Sequence, residues 1–133
     1  MNRIKVIHLK DHDETWLDST VSVNVLSFRP TMELRKDIKL LDRKSAQLQN
    51  QLNKLPEFDF EKRTIIEDEI DEIDTSKIEL MIDILRKNLV DSNILQSDST
   101  YIKVEASELE DSFDMQTLSF LVSGLTGNVE KKS

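Results

Sequence analysis

The sequence predicts a mainly α-helical protein: an antiparallel, coiled-coil-like helical hairpin with a small N-terminal β-hairpin and a short C-terminal helix. Three observations carry this. Residues 29–54 hold an apolar repeat in alternating steps of four and three, made by Leu34, Ile38, Leu41, Leu48, Leu52 and Leu55, with Ser45 filling the one gap. That spacing lays all seven side chains along one seam of a helix. Residues 57–83 are rich in isoleucine at helical period and carry the opposite charge. The first segment has seven basic and three acidic residues, net +4; the second has three basic and eleven acidic, net −8. Two such helices joined by a short turn are expected to fold back on each other. Finally, two glycines and two prolines in 133 residues leave little room for a loop-rich or all-β fold.

Each element follows from local pattern. Residues 4–10 alternate as a strand, with Ile4, Val6 and His8 on one side and Lys5, Ile7 and Leu9 on the other. Residues 20–27 give the clearest strand signal, Val21, Val23 and Val25 alternating with Ser22, Asn24 and Leu26. The two strands suit a hairpin, which is marginal alone and must pack on the helices or join another sheet. At Phe28-Arg29-Pro30-Thr31 the period changes; proline disfavours helix at the residue before it, so Thr31 is the expected N-cap. Leu55-Pro56-Glu57 ends that helix near Lys54, and Asp59 caps the next, whose stripe is Ile65, Ile66, Ile70 and Ile73. Ser76 and Glu79 have capping-box spacing, which predicts a break or restart near Thr75. Ile78, Met81, Ile82, Leu85 and Leu89 then form a wide amphipathic face.

Residues 91–100 read as a polar linker and 101–105 as a short strand, a third for the N-terminal sheet. One or two helical turns are expected over 106–112. Asp114 caps a last helix with Leu118, Leu121 and Val122 on one side, closed by Gly124. The expected organisation is one α+β domain over 1–125, with the β-hairpin at 1–28, the helical hairpin at 31–90, and the short strand and helices at 100–125. Residues 126–133 are expected to form a flexible tail.

Composition narrows the function. The net charge of −8 and pI near 4.8 oppose a nucleic-acid partner, and the basic helix is explained more cheaply by the acidic helix after it. No run approaches the roughly 20 apolar residues of a membrane span, and residues 1–10 lack the pattern of a signal peptide. The absence of cysteine excludes disulfides and thiolate chemistry and fits a reducing compartment. His8, Asp11, His12 and Asp13 lie close in sequence, but strand geometry does not bring the two histidines together and no further histidine or cysteine is available. That favours a solvated turn beside an ordinary strand histidine over a metal site. The acidic run at 67–74 lacks the glycine of a calcium loop and keeps helical period, so it is a solvated or partner-facing face. No nucleophile, phosphate-cradling or dinucleotide motif is present; neither catalysis nor a cofactor is expected. Phe113, Met115 and Phe120 are expected in the core, and Trp16 either folds onto the hairpin or makes a contact. The heptad seam closes within one chain, or between copies or with a partner; both remain open, a homo-oligomer included.

From Ile78 onward the order of elements resembles the tail assembly chaperones of long-tailed bacteriophages. Residues 78–90 correspond to an amphipathic helix, Ala106-Ser107-Glu108-Leu109-Glu110-Asp111-Ser112 to a short acidic segment, and 113–124 to a final apolar helix. The valine-rich strand, phenylalanine and charged helix of 21–36 resemble the front of that family. The resemblance implies a non-enzymatic chaperone in the host cytoplasm, binding the aggregation-prone tape-measure protein and recruiting tail-tube subunits. Elimination and resemblance together make Ile78, Met81, Ile82, Leu85, Leu89, Leu118, Leu121 and Val122 the expected client-binding surface, in helix-in-groove fashion. The alternative is a structural or adaptor protein that assembles through a coiled-coil hairpin.

Overall fold

The computed structural model describes residues 3–126. Four strands and four helices follow in order: β1 (Ile4–His8), β2 (Thr20–Asn24), α1 (Phe28–Lys54), α2 (Phe60–Asn88), β3 (Leu89–Leu95), β4 (Tyr101–Ile102), α3 (Leu109–Ser112) and α4 (Met115–Leu125). The chain divides into two compact units. One is Phe28–Leu80; the other joins the residues before it to those from Met81 onward. The mainly helical class is therefore as expected.

The first unit in chain order is the sheet with its covering helices. All neighbouring strands are antiparallel, in the order β1-β2-β3-β4. The expected hairpin is present, with Val6 opposite Ser22 and Ile7 opposite Val21. Its strands are shorter than the pattern implied. After His8 the chain tightens into a 3-10 turn over Leu9–Asp11, and a second turn follows over Glu14–Trp16. Ile7, Val21 and Val23 point to the buried side, while Ile4 and Val6 are exposed. α4 packs on β1 and β2, and it does so closely. A Cβ added at Gly124 would meet Ile7 Cδ1 at 2.5 Å. This corrects the expected role of Gly124: it lies inside α4 as a close-approach residue, and Thr126 is the C-cap. Thr126 is also the one residue of the expected tail among the described ones.

The larger correction is β3. Residues 91–100 were expected as a linker because they are polar, yet Leu89–Leu95 is an inner strand of the sheet. Hydroxyl groups that satisfy the backbone make that possible. Ser92 Oγ donates to the Val104 carbonyl at 3.1 Å and accepts from the Val104 N–H at 2.7 Å. Ser19 Oγ accepts from the Leu95 N–H at 2.9 Å. Both serines are buried without an unmet polar group. Register slips between Ser22 and Val23, whose partners are Asp91 and Leu89, so Val90 is skipped where helix becomes strand. The third strand of the expected sheet is present as β4, but only over Tyr101–Ile102.

The second unit holds α1 and most of α2. α1 begins at Phe28 rather than after Thr31, because proline in a first turn forfeits no hydrogen bond that the turn would make. Thr31 is thus inside the helix and buried. α2 runs unbroken through Thr75, so the Ser76 and Glu79 spacing does not mark a restart. Cross-helix contacts show the two running in opposite directions. Lys77 Nζ lies 2.6 Å from Asp42 Oδ1, and the Arg63 guanidinium reaches the carbonyls of Leu52 and Leu55 at 3.3 and 3.4 Å. Later residues of α1 therefore meet earlier residues of α2.

Candidate binding surface

The eight residues expected to hold a client are drawn from α2, the start of β3 and α4. The structure brings two of these faces together. Ser119 Oγ contacts Met81 Sδ at 3.5 Å, and Arg86 binds the Ala106 carbonyl and Glu110 in the segment that leads to α4. Met81, Ile82, Leu85, Leu118, Leu121 and Val122 are all buried, with Leu85 only 1% exposed; Ile78 and Leu89 are half-buried. The six buried residues are part of the core of the sheet unit rather than the lining of an open groove. Two amphipathic stripes in one small domain cover each other, since each removes apolar area from water. Phe113 is buried as expected, with Trp16 lying against it at 5.6 Å between ring centroids, and His12 stacks on Phe120 at 5.1 Å.

Accessible apolar side chains lie on both units, Ile4, Val6, Leu17, Val90, Tyr101 and Ile102 on the sheet unit and Phe28, Met32, Leu40, Phe58, Phe60 and Ile65 on the helical one. Only the helical unit combines them with a half-buried heptad stripe. Leu34 and Leu52 are buried, but Ile38, Leu41, Ser45 and Leu48 between them are only half-buried, as are Ile66, Ile70 and Ile73 on α2. Leu41, Leu48 and Ile73 line a shallow open groove whose walls carry Lys44 on one side and Glu69 and Glu72 on the other. Ile65, expected in the α2 stripe, is 61% exposed and stands outside it. Arg63 and Lys77 take stripe positions instead. The signal was available in the sequence: Arg63, Ile66, Ile70, Ile73, Lys77 and Leu80 keep the steps of three and four.

The charge expectation also changes in detail. The ion pair that links the helices runs against their net charges, from Lys77 of the acidic helix to Asp42 of the basic one. A second groove lies on α1 alone, between Met32 and Ile38, with Arg35, Lys36 and Lys39 around it. At the other end of the unit, the turn between the helices displays Phe58 and Phe60, 79% and 73% exposed.

Carboxyl groups held below their ordinary range belong to the sheet unit, at turns, caps and a strand pair. Hydrogen bonds from Thr15, Thr100 and Thr117 do this for Asp13, Asp98 and Asp114, and Lys103 at 2.8 Å does it for Asp91. Their role is structural, since each closes a local turn, cap or strand pair. Among the described residues no group of three or more His, Cys, Asp or Glu side chains is placed to hold a metal ion. Among them, too, no helix is long and apolar enough to cross a membrane. Comparison with protein-family models, with curated proteins and with solved structures finds no match to this chain.

Proposed function

We propose that this protein is a non-enzymatic, protein-binding chaperone of the phage-tail assembly type. Its client is an apolar helical segment, that of a tape-measure protein under this reading, and the host cytoplasm is where the two meet. The contact lies along α1 and α2, read as a coiled-coil-like hairpin, and not on the buried faces of α2 and α4. The observation that carries this is the half-buried heptad stripe, with Leu41, Leu48 and Ile73 opening into a groove. Two helices cannot enclose an a/d seam from all sides, and a third helix laid along it removes further apolar area from water. Walls of both signs, Lys44 against Glu69 and Glu72, suit a client that carries mixed charge beside its apolar stripe.

Co-expression with the tape-measure gene product tests this. The client should be soluble only when this protein is present, and Leu41→Gln with Leu48→Gln should abolish that effect while circular dichroism stays near wild type. Leu85→Asp would be the wrong probe, because a carboxylate at that buried position breaks the fold. A client that is soluble alone overturns the chaperone reading. So does recovery of this protein as a stoichiometric part of a finished particle, which makes it a structural adaptor.

A further inference from the structure

The helical unit carries two surfaces that complement each other and cannot meet within one chain. The first is the turn between the helices. Phe58 and Phe60 stand out from it almost fully exposed, and Glu57, Asp59 and Glu61 alternate with them. The turn is held in shape: the Asp59 N–H donates to the Pro56 carbonyl, the Asp59 carbonyl accepts from the Arg63 N–H, and the Arg63 side chain ties down the last carbonyls of α1. Two phenyl rings are thus presented on a fixed platform bordered by the exposed carboxylates of Glu57 and Glu61, while the half-buried Asp59 has Lys62 beside it at 3.9 Å. The second is the groove near the start of α1. It is lined by Met32 and Ile38 with Arg35, Lys36, Lys39 and Asp42, and the Asp42 carboxylate is already paired with Lys77, so the lining is basic on balance. Met32, Arg35, Lys36 and Lys39 fall at helical steps of three, one and three, which keeps them on one face.

Apolar meets apolar, and carboxylate meets ammonium and guanidinium, when the turn of one copy enters the groove of another. Within one copy this cannot happen. Lys36 and Lys54 are separated by 18 residues of continuous helix, roughly 27 Å at 1.5 Å per residue. We propose that copies of this protein associate head to tail, with Phe58 and Phe60 of one seated against Met32 and Ile38 of the next. The contact is heterologous: every copy has one turn and one groove, so association continues into a ring or an open chain. An anionic membrane is a poorer fit for the turn, because the exposed carboxylates of Glu57 and Glu61 flank the two rings. The contact shares Ile38 with the heptad stripe but uses neither Leu41 nor Leu48, so the Phe58/Phe60 variant tests it apart from the chaperone reading.

Sedimentation velocity on the full chain tests it. The wild type should grow in size with concentration and dissociate as salt is raised, since the charged rims are screened. Phe58→Ser with Phe60→Ser removes the plug at unchanged charge, and Lys36→Glu with Lys39→Glu removes the groove's rim. Each variant alone should self-associate about tenfold or more weakly than wild type. Mixed together they retain one intact turn and one intact groove, so they should form a one-to-one dimer and grow no further. The inference is overturned if the wild type stays monomeric to millimolar concentration, or if the mixture shows no dimer. It is equally overturned if the Phe58/Phe60 variant associates like wild type. Loss of association in Leu41→Gln/Leu48→Gln but not in the Phe58/Phe60 variant assigns it to the heptad groove instead.

Discussion

Leu17 shows how a single residue is held against its preference. The turn from Trp16 to Ser19 is closed by the Ser19 N–H donating to the Trp16 carbonyl, and Leu17 within it has φ 54° and ψ −128°. Glycine enters that region without steric cost, whereas a leucine Cβ crowds the backbone. The side chain is largely exposed, so little packing is lost with it. Leu17→Gly is expected to stabilise the protein by about 1 kcal/mol, measured as a higher denaturation midpoint at unchanged m-value. A lower midpoint would mean that Leu17 packs in a way its exposure conceals. Gly124 is the converse case. Its sequence position suggested a helix end, but what demands glycine there is the approach of Ile7 from a strand more than a hundred residues earlier. Nothing local to Gly124 encodes that.

Caps were legible only in part: Asp114 forms its cap, but Thr31 lies inside α1, Ser76 and Glu79 mark no restart, and Gly124 lies inside α4. Asp114 was expected to cap the last helix, and its Oδ1 accepts the Thr117 N–H at 2.8 Å. Hydrogen bonding from Thr117, with a smaller contribution from His12, holds the Asp114 carboxyl below its ordinary value of 3.8. The folded state therefore binds the proton less readily than the unfolded chain. The resulting stabilisation is present above the ordinary value and is lost as pH falls through the folded one. Asp114→Asn retains an N-cap without a titrating group. Its melting temperature should fall less than that of wild type between pH 5 and pH 3; equal falls would show that the cap does not contribute to acid sensitivity. β3 was illegible at the same scale. Polar residues over 89–95 disfavour a strand by propensity, and only the distant backbone of Val104 satisfies Ser92. In α2 the basic stripe residues Arg63 and Lys77 find carbonyls and a carboxylate on α1, which fixes how the helices align.

At the scale of the molecule the two units use apolar residues differently. In the sheet unit the amphipathic faces are consumed by each other, so truncating one leaves a cavity. Leu85→Ala is expected to cost about 2–5 kcal/mol in chemical denaturation. Ile65→Ala, at an exposed position of the same helix, should stay within about 0.5 kcal/mol of wild type. Comparable losses at both sites would show that Ile65 is covered in solution. That outcome would itself point to an assembly, since nothing within the described chain covers it.

The sequence alone determined the helical class, the limits of the long helices within a few residues, the N-terminal hairpin and the Asp114 cap. All of these follow from periodicity or from bonds between near neighbours, which a linear reading contains. Only the tertiary structure decided which apolar faces are core and which remain open. Residues 78–89 and 118–122 have the same amphipathic pattern whether they bind a client or each other, and the pattern cannot tell the two apart. Apolar surface stays open on both units, at the heptad seam, the Phe58–Phe60 turn and Met32 on one and at Ile4, Val6, Tyr101 and Ile102 on the other, because units so small have too few neighbours to bury all of it. Burial is a property of the whole fold's surroundings, and no window of sequence holds those.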